Sequence, residues 1–268
     1  MKVEIAYIGG SSTLGLNFPE KFLPPDIKFL KAESYETPYG QSPKFYFMEI
    51  GSKKVVHVKM HGWRSGVSRR DASLQVFWVF RNLGVSKIFS EGGVGAVNHL
   101  LDLRDVVIPT DYLDFTMRKD VHLTSDYLLV MRKPTCPEIN HALYESAKKH
   151  AKGRVFPRGV YACTDGRHFE SVAEVYYFKN AGADVIGQSM VPEVYLAREI
   201  GACYGRIDLV VNYAEGIVKD WEHKELKDIY YNNALTNLQI ITDAIINFKP
   251  QDQCECKDLR KETLLKLE

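Results

Sequence analysis

Ala183-Asp184-Val185-Ile186-Gly187-Gln188-Ser189-Met190-Val191-Pro192-Glu193 reads as a strand, a tight loop and the opening of a helix. Residues 184–186 are a short run that breaks at glycine, and Pro192 brings the fixed φ and missing N–H that a first helical turn tolerates. Gly201 stops that helix. The same order recurs along the chain. Residues 3–8 form an apolar run ending at Gly9-Gly10-Ser11-Ser12; 55–60 ends at His61-Gly62; 87–90 opens into Glu91-Gly92-Gly93-Val94-Gly95. Further strands are expected at 105–109, 158–163 and 209–212, and helices at 71–83, 137–150, 171–180 and 226–248. Asp71 and Gly84 suit the ends of the first helix, Pro137 the start of the second, and Pro250 the end of the last. Strands alternating with helices predict α/β architecture: a single three-layer domain, residues 1–250, around a central mixed, largely parallel sheet. Residues 251–268 form a charged tail with a Cys-x-Cys pair, expected to fray.

The 268 residues suffice for one large domain. A net charge of +1 gives no electrostatic case for nucleic acid or an acidic membrane surface. No apolar run approaches the ~18 residues of a membrane span. Residues 1–8 read as a first strand rather than a signal peptide, so the cytoplasm is the expected compartment. The five cysteines fit reduced, buried thiols or, as in hyperthermophiles, intracellular disulfides. A metal is not expected at the tail, because no His or second Cys pair stands near it with ligand spacing.

In a sheet of this kind ligands sit at the carboxyl ends of the strands. Ser11, His61, Glu91, Phe169, Ser189 and Asn212 all fall there. In Thr164-Asp-Gly-Arg-His-Phe-Glu-Ser-Val-Ala-Glu174, Phe169 offers an aromatic face beside the carboxylate of Glu170; Val210-Val-Asn-Tyr213 adds the amide of Asn212. A face, an acceptor for N1–H, and an amide that both donates and accepts at O6 and N7 match a 6-oxopurine base. Gly9 to Ser12 reads either as an anion-cradling loop or as a plain turn. His61 with Arg64 suits phosphate or a solvated surface turn. Ser189 sits at a helix start, where Glu193 also fits simply as a dipole-favoured residue. Glu91 beside an anion site would repel phosphate, unless it orients a water as general base.

Taken in order, these segments resemble the nucleoside phosphorylase family, above all its trimeric purine nucleoside and methylthioadenosine phosphorylases. The similarity spans residues 3–248. Its carriers are Ile8-Gly-Gly-Ser11, Thr37-Pro-Tyr-Gly40, His61-Gly62, Gly93-Val-Gly-Ala96, Asp105-Val-Val-Ile108, Asp165 to Glu174 and Ala183 to Val194. The resemblance implies attack of phosphate on the anomeric carbon through an oxocarbenium-like transition state, with no cofactor or metal. It implies a homotrimer or a dimer of trimers acting on small molecules. Base binding falls to Phe169, Glu170, Asn212 and Gly93, with Glu170 and Asn212 as the catalytic pair. Phosphate falls to Ser11, Ser12, His61, Gly93 and Ser189, and ribose to Gln188 and Met190. Phe169-Glu170 with Asn212 is the 6-oxopurine pattern; 6-aminopurine members have Phe-Ser and paired aspartates. The substrates implied are inosine and guanosine, with 5′-methylthioinosine also fitting. Heat-stable relatives imply disulfides at Cys254–Cys256 and Cys136–Cys203. Three positions depart from the pattern. Met60 replaces an arginine, for which Arg64 is the candidate substitute; Gly92 replaces a threonine; Gln188 replaces a methionine under the ribose. Two other readings stay open: a hydrolase in which Glu91 orients water, and a purine-binding protein without turnover. A dinucleotide-binding oxidoreductase is disfavoured by Gly-Gly-Ser-Ser where GxGxxG would stand.

Overall fold

The computed structural model describes residues 2–251 and 253–264. Eleven strands form the main sheet: β1 (Ile5–Ile8), β2 (Ile27–Glu33), β3 (Phe45–Ile50), β4 (Lys53–Val58), β5 (Lys87–Ala96), β6 (Val106–Val107), β7 (Asp111–Asp114), β8 (Val155–Phe156), β9 (Val160–Cys163), β10 (Val185–Gly187) and β11 (Cys203–Tyr213). The helices are α1 (Ser11–Leu14), α2 (Arg69–Leu83), α3 (Pro137–His150), α4 (Val172–Asn180), α5 (Met190–Glu199) and α6 (His223–Asn247). The sheet runs β8-β6-β11-β5-β1-β4-β3-β2, and β10 leaves β5 to carry β9 and then β7. The central pairs β4-β1, β1-β5 and β5-β11 are parallel, while β3-β4 and β2-β3 are antiparallel. This is the mixed, largely parallel sheet expected.

β5 and β11 are the long central strands, and all of β11 is buried. A strand covered on both faces loses the alternation of polar and apolar residues and reads as a continuous apolar run. One face packs under α2 and α5 through Leu74, Phe77, Val194 and Leu196; the other packs under α3 and α6 through Ile139, Leu143, Leu238 and Ile241.

Helix ends follow local chemistry. The Ser68 side chain accepts from Asp71 N, so α2 begins before Asp71, which serves its first turn instead of capping it; Gly84, at φ 78°, closes it. Ser171 and Glu174 form a capping box on α4. The antiparallel wing β2-β3 lies in a region where no strand was expected.

Within the segment expected to fray, residues 253–264 are described and anchored, and 265–268 lie outside the described residues. Residues Arg260–Glu262 pair with Tyr127–Leu129, Leu259 is buried, and the Arg198 guanidinium donates to Cys256 O. The expected cysteine pairings are absent: all five cysteines are free thiols. Cys136, Cys203, Cys254 and Cys256 meet in one cluster instead of two separate bridges. Among the described residues no helix is long and apolar enough to cross a membrane.

Candidate active site

A cavity of ≈ 190 Å³ opens where the strands β1, β4, β5, β10 and β11 end. Ser11, His61, Gly93, Phe169, Glu170, Gln188, Ser189 and Asn212 line it, so residues far apart in the chain share one cleft. Ser12, Arg64 and Met190 do not. Ser12 is buried behind the loop. The Arg64 guanidinium is taken up by Gly62 O, Gln41 O and Gln75 Oε1, which turns it from the cavity and removes it as a stand-in for the missing arginine. Met190 is fully buried in the core.

At one end lie Glu170 and Asn212. Glu170 is buried, and Thr164 Oγ1 donates to its Oε1 at 2.5 Å. Asn212 owes its aim to an irregularity in β11. Val210 pairs with Val94 and Asn212 with Gly95, leaving Val211 extra. Consecutive residues Val211 and Asn212 therefore both reach the cavity, which regular strand alternation forbids. Asn212 Nδ2 donates to Tyr213 O at 2.8 Å, which fixes the amide plane. Gly95 leaves room for it: an added Cβ would stand 3.2 Å from Nδ2. Phe169 is 50% exposed and leans on Trp221, with ring centroids 4.5 Å apart.

Two guanidiniums hold the loop that carries Glu170. Arg69 donates to Asp165 O at 2.5 Å and Gln188 Oε1 at 2.9 Å; Arg118 donates to Thr164 O at 2.6 Å and Gln188 O at 3.0 Å. Gln188 thus lines the cavity with its carbonyl oxygens already engaged.

At the other end stands His61, with Nδ1 2.7 Å from Glu193 Oε1. A carboxylate only accepts, so Nδ1 carries the proton and Nε2 is left for a ligand. Glu193 is also held by Tyr204 OH at 2.8 Å and Ser90 Oγ at 3.3 Å. Burial would raise its pKa; His61, Arg206 and Tyr204 outweigh that and keep it below the ordinary carboxylate value. Its site at a helix start concealed this role in the sequence.

Beneath Ser189 lies a buried ion pair. Arg206 Nε and Nη2 donate to Asp208 at 2.8 and 2.5 Å, and both side chains are fully buried. Nη2 also donates to Ser189 Oγ at 3.1 Å, so that hydroxyl's own hydrogen is directed to another acceptor. The pair explains Gly92: a Cβ there would lie 2.5 Å from Arg206 Nη2 and 2.8 Å from Asp208 Oδ1. Tyr230 of α6 completes this end; it lines the cavity with Ser11 and presses on Gly93, where a Cβ would meet its hydroxyl at 2.4 Å. Neither Arg206 nor Tyr230 was foreseen. The signal for the first was available, as Arg206 and Asp208 are charges two apart in an apolar strand and so share one face.

Glu91 is fully buried and lies outside the cavity lining. Its Oε1 accepts from Gly10 N at 2.6 Å and Thr13 Oγ1 at 2.7 Å, tying down the loop after β1. Burial raises its pKa against those two hydrogen bonds, which favours the neutral acid and reduces repulsion of an anion. Its Oε1 is engaged by the loop after β1 and Glu91 is not part of the cavity lining, so the general-base reading draws no support from that lining.

A family model described as Phosphorylase superfamily matches residues 5–247. The 6-oxopurine nucleoside phosphorylase of Pyrococcus furiosus is 30% identical over 269 residues, covering 96% of this chain and 97% of its own. The probable S-methyl-5′-thioinosine phosphorylase of Thermodesulfovibrio yellowstonii is 30% identical, covering 97% of each chain. In fold, the chain is similar to a methylthioadenosine phosphorylase from an antarctic soil metagenomic library. The TM-score is 0.83 at 23% identity, over 96% of this chain and 91% of that one.

Proposed function

The chain belongs to the phosphorylase superfamily, and from that premise we propose that it is a purine nucleoside phosphorylase acting on 6-oxopurine nucleosides. It is a pentosyltransferase: phosphate is its co-substrate, no cofactor takes part, and the products are the free base and ribose 1-phosphate. The observation that carries the reading is the convergence of Glu170 and Asn212 at one end of a cavity whose other end holds His61, Ser11 and Ser189.

Glu170 accepts the N1–H of a keto-purine. Asn212 spends one N–H on Tyr213 O, leaving the other for O6 and its carbonyl oxygen for the N7–H that forms as the base departs. That bond is strongest in the transition state and so speeds the chemical step. His61 Nε2 and the hydroxyls of Ser11 and Ser189 hold phosphate against the anomeric carbon, where its charge offsets the oxocarbenium character. Arg206 acts one atom further back, polarising Ser189 in place of the arginine that Met60 displaces. A homotrimer in the cytoplasm belongs to the same proposal, the neighbouring subunit covering the open side beyond Phe169; sedimentation of the purified protein tests the assembly.

The test is base release from inosine, guanosine, adenosine and 5′-methylthioinosine, with and without phosphate. Inosine should release hypoxanthine only with phosphate, and adenosine should be poorer by on the order of a hundredfold or more, because it leaves Glu170 without a proton to accept. Equal release without phosphate would make the protein a hydrolase. Tight base binding with no turnover would make it a binding protein.

A further inference from the structure

None of the five thiols lines this cavity, and four of them gather at the opening end of β11. Cys136 stands immediately before α3, Cys203 opens β11, and Cys254 and Cys256 come from the returning tail. Their four Sγ atoms all lie within 4.8 Å of one another, and Cys203 and Cys254 approach to 3.4 Å. A tetrahedron of sulfurs around zinc, with Zn–S near 2.3 Å, has edges of about 3.8 Å. Two disulfides would instead draw the atoms into pairs at about 2.05 Å. No pair is drawn together in that way, and the close approach joins neither Cys254 to Cys256 nor Cys136 to Cys203.

We propose that Cys136, Cys203, Cys254 and Cys256 form a structural site for a soft divalent cation, zinc, that clips the tail to α3 and β11. The surroundings suit a four-thiolate centre with its surplus negative charge. Cys136 is at the positive end of a 14-residue helix. Lys87 Nζ is 3.8 Å from Cys203 Sγ in buried surroundings. Glu138 accepts backbone N–H groups from Gln251, Gln253 and Cys254, holding the tail so that its two thiols face the other two. Cys136, Cys203 and Cys256 are buried and Cys254 is partly so, which makes the site closed, as structural zinc sites are. The expectation against a metal weighed only spacing near the tail, whereas the proposed second pair of ligands comes from positions 136 and 203, which no local spacing rule links to it.

Zinc content of the full chain, purified without air or chelator, tests this. About one zinc per chain is expected. After exchange for cobalt, the absorption should show thiolate-to-metal charge transfer and tetrahedral d–d bands. Cys254→Ser and Cys256→Ser should each lower retained zinc at least about tenfold, while Cys163→Ser, outside the cluster, should keep it. Mass mapping that finds Cys254–Cys256 or Cys136–Cys203 disulfides in the anaerobic protein overturns the proposal. So does a reduced wild-type chain that takes up no zinc or cobalt, a result that does not depend on whether any variant folds.

Discussion

Under the proposed function Glu170 and Asn212 divide the recognition of the base, so their replacements should fail differently. Glu170→Gln keeps the shape but offers N1–H a neutral acceptor. The loss of a charge-assisted hydrogen bond is worth about 1.5–3 kcal/mol, or roughly ten- to a hundredfold in kcat/KM for inosine. Asn212→Asp should lower inosine turnover by a similar factor and narrow the gap to adenosine, whose exocyclic amine can donate to the new carboxylate. Steady-state kinetics on both nucleosides check this; wild-type turnover of inosine in both variants would remove the pair from the pocket. Gly92 poses a different residue-scale question, because its φ is ordinary and only space forbids a side chain. Gly92→Ala would drive a methyl group into the Arg206–Asp208 pair, at 2.5 and 2.8 Å. Overpacking costs about 1–3 kcal/mol, and disturbing a buried bidentate pair adds to it. Replacing the pair as well, in Gly92→Ala/Arg206→Met/Asp208→Leu, should recover part of that stability while raising KM for phosphate. Denaturant unfolding supplies the coupling energy; simple additivity would mean that the ion pair does not set the requirement for glycine.

At the scale of elements, the parallel pair β1-β4 carries an acid-sensitive group. Tyr7 lies opposite His57 in the register; their rings stack at 4.5 Å, and His57 Nδ1 is 3.1 Å from Tyr7 O. Burial drives the His57 pKa down to about 3. In the unfolded chain the ring gains a proton below its ordinary value of 6.5, while the folded chain gains it only near 3. The unfolded state therefore binds more protons across that window. Stability is complete above the upper limit and falls with pH by up to about 1.4 kcal/mol per pH unit from this group alone. His57→Gln should flatten that acid limb, whatever it costs at neutral pH; an unchanged slope of unfolding free energy against pH would show that another group is responsible. None of this was visible in residues 55–60, which read only as an alternating strand. What was visible at this scale is where each strand stops, since Gly9 follows β1 directly, Gly187 ends β10 and His61-Gly62 lies just beyond β4, which places Ser11, Ser189 and His61. The irregularity that turns Asn212 inward was not, because it depends on the register with β5, and register is a property of two strands.

For the whole molecule, the least legible part is the tail. Its charges and thiols resemble a solvated end when read locally, yet partners 50 or more positions away fix it. Arg198 donates to Cys256 O and Lys133 O, Arg260 donates to Glu199 O, and residues Arg260–Glu262 extend Tyr127–Leu129. Both arginine contacts involve the C-terminal turn of α5, the helix whose first residues follow Ser189. A chain ending at residue 250 exposes the surface that Leu259 and Cys256 cover and strips the buried Arg198 of one acceptor. One buried leucine contributes about 1.5–3 kcal/mol and an unpaired buried donor costs about 1–3 kcal/mol. The sum of roughly 3–6 kcal/mol, for chains both freed of metal, corresponds in a chain of this size to a fall in Tm of about 6–24 °C. Scanning calorimetry of the two chains measures it, with inosine phosphorolysis followed well below both transitions. The candidate cavity lies at the other end of α5, so kcat should stay within about twofold of the full chain at that temperature, because no described residue of the tail belongs to the cavity lining. A Tm that does not move would show the tail to be a passenger, and an intact Tm with lost turnover would mean that α5 transmits the tail's position to Ser189.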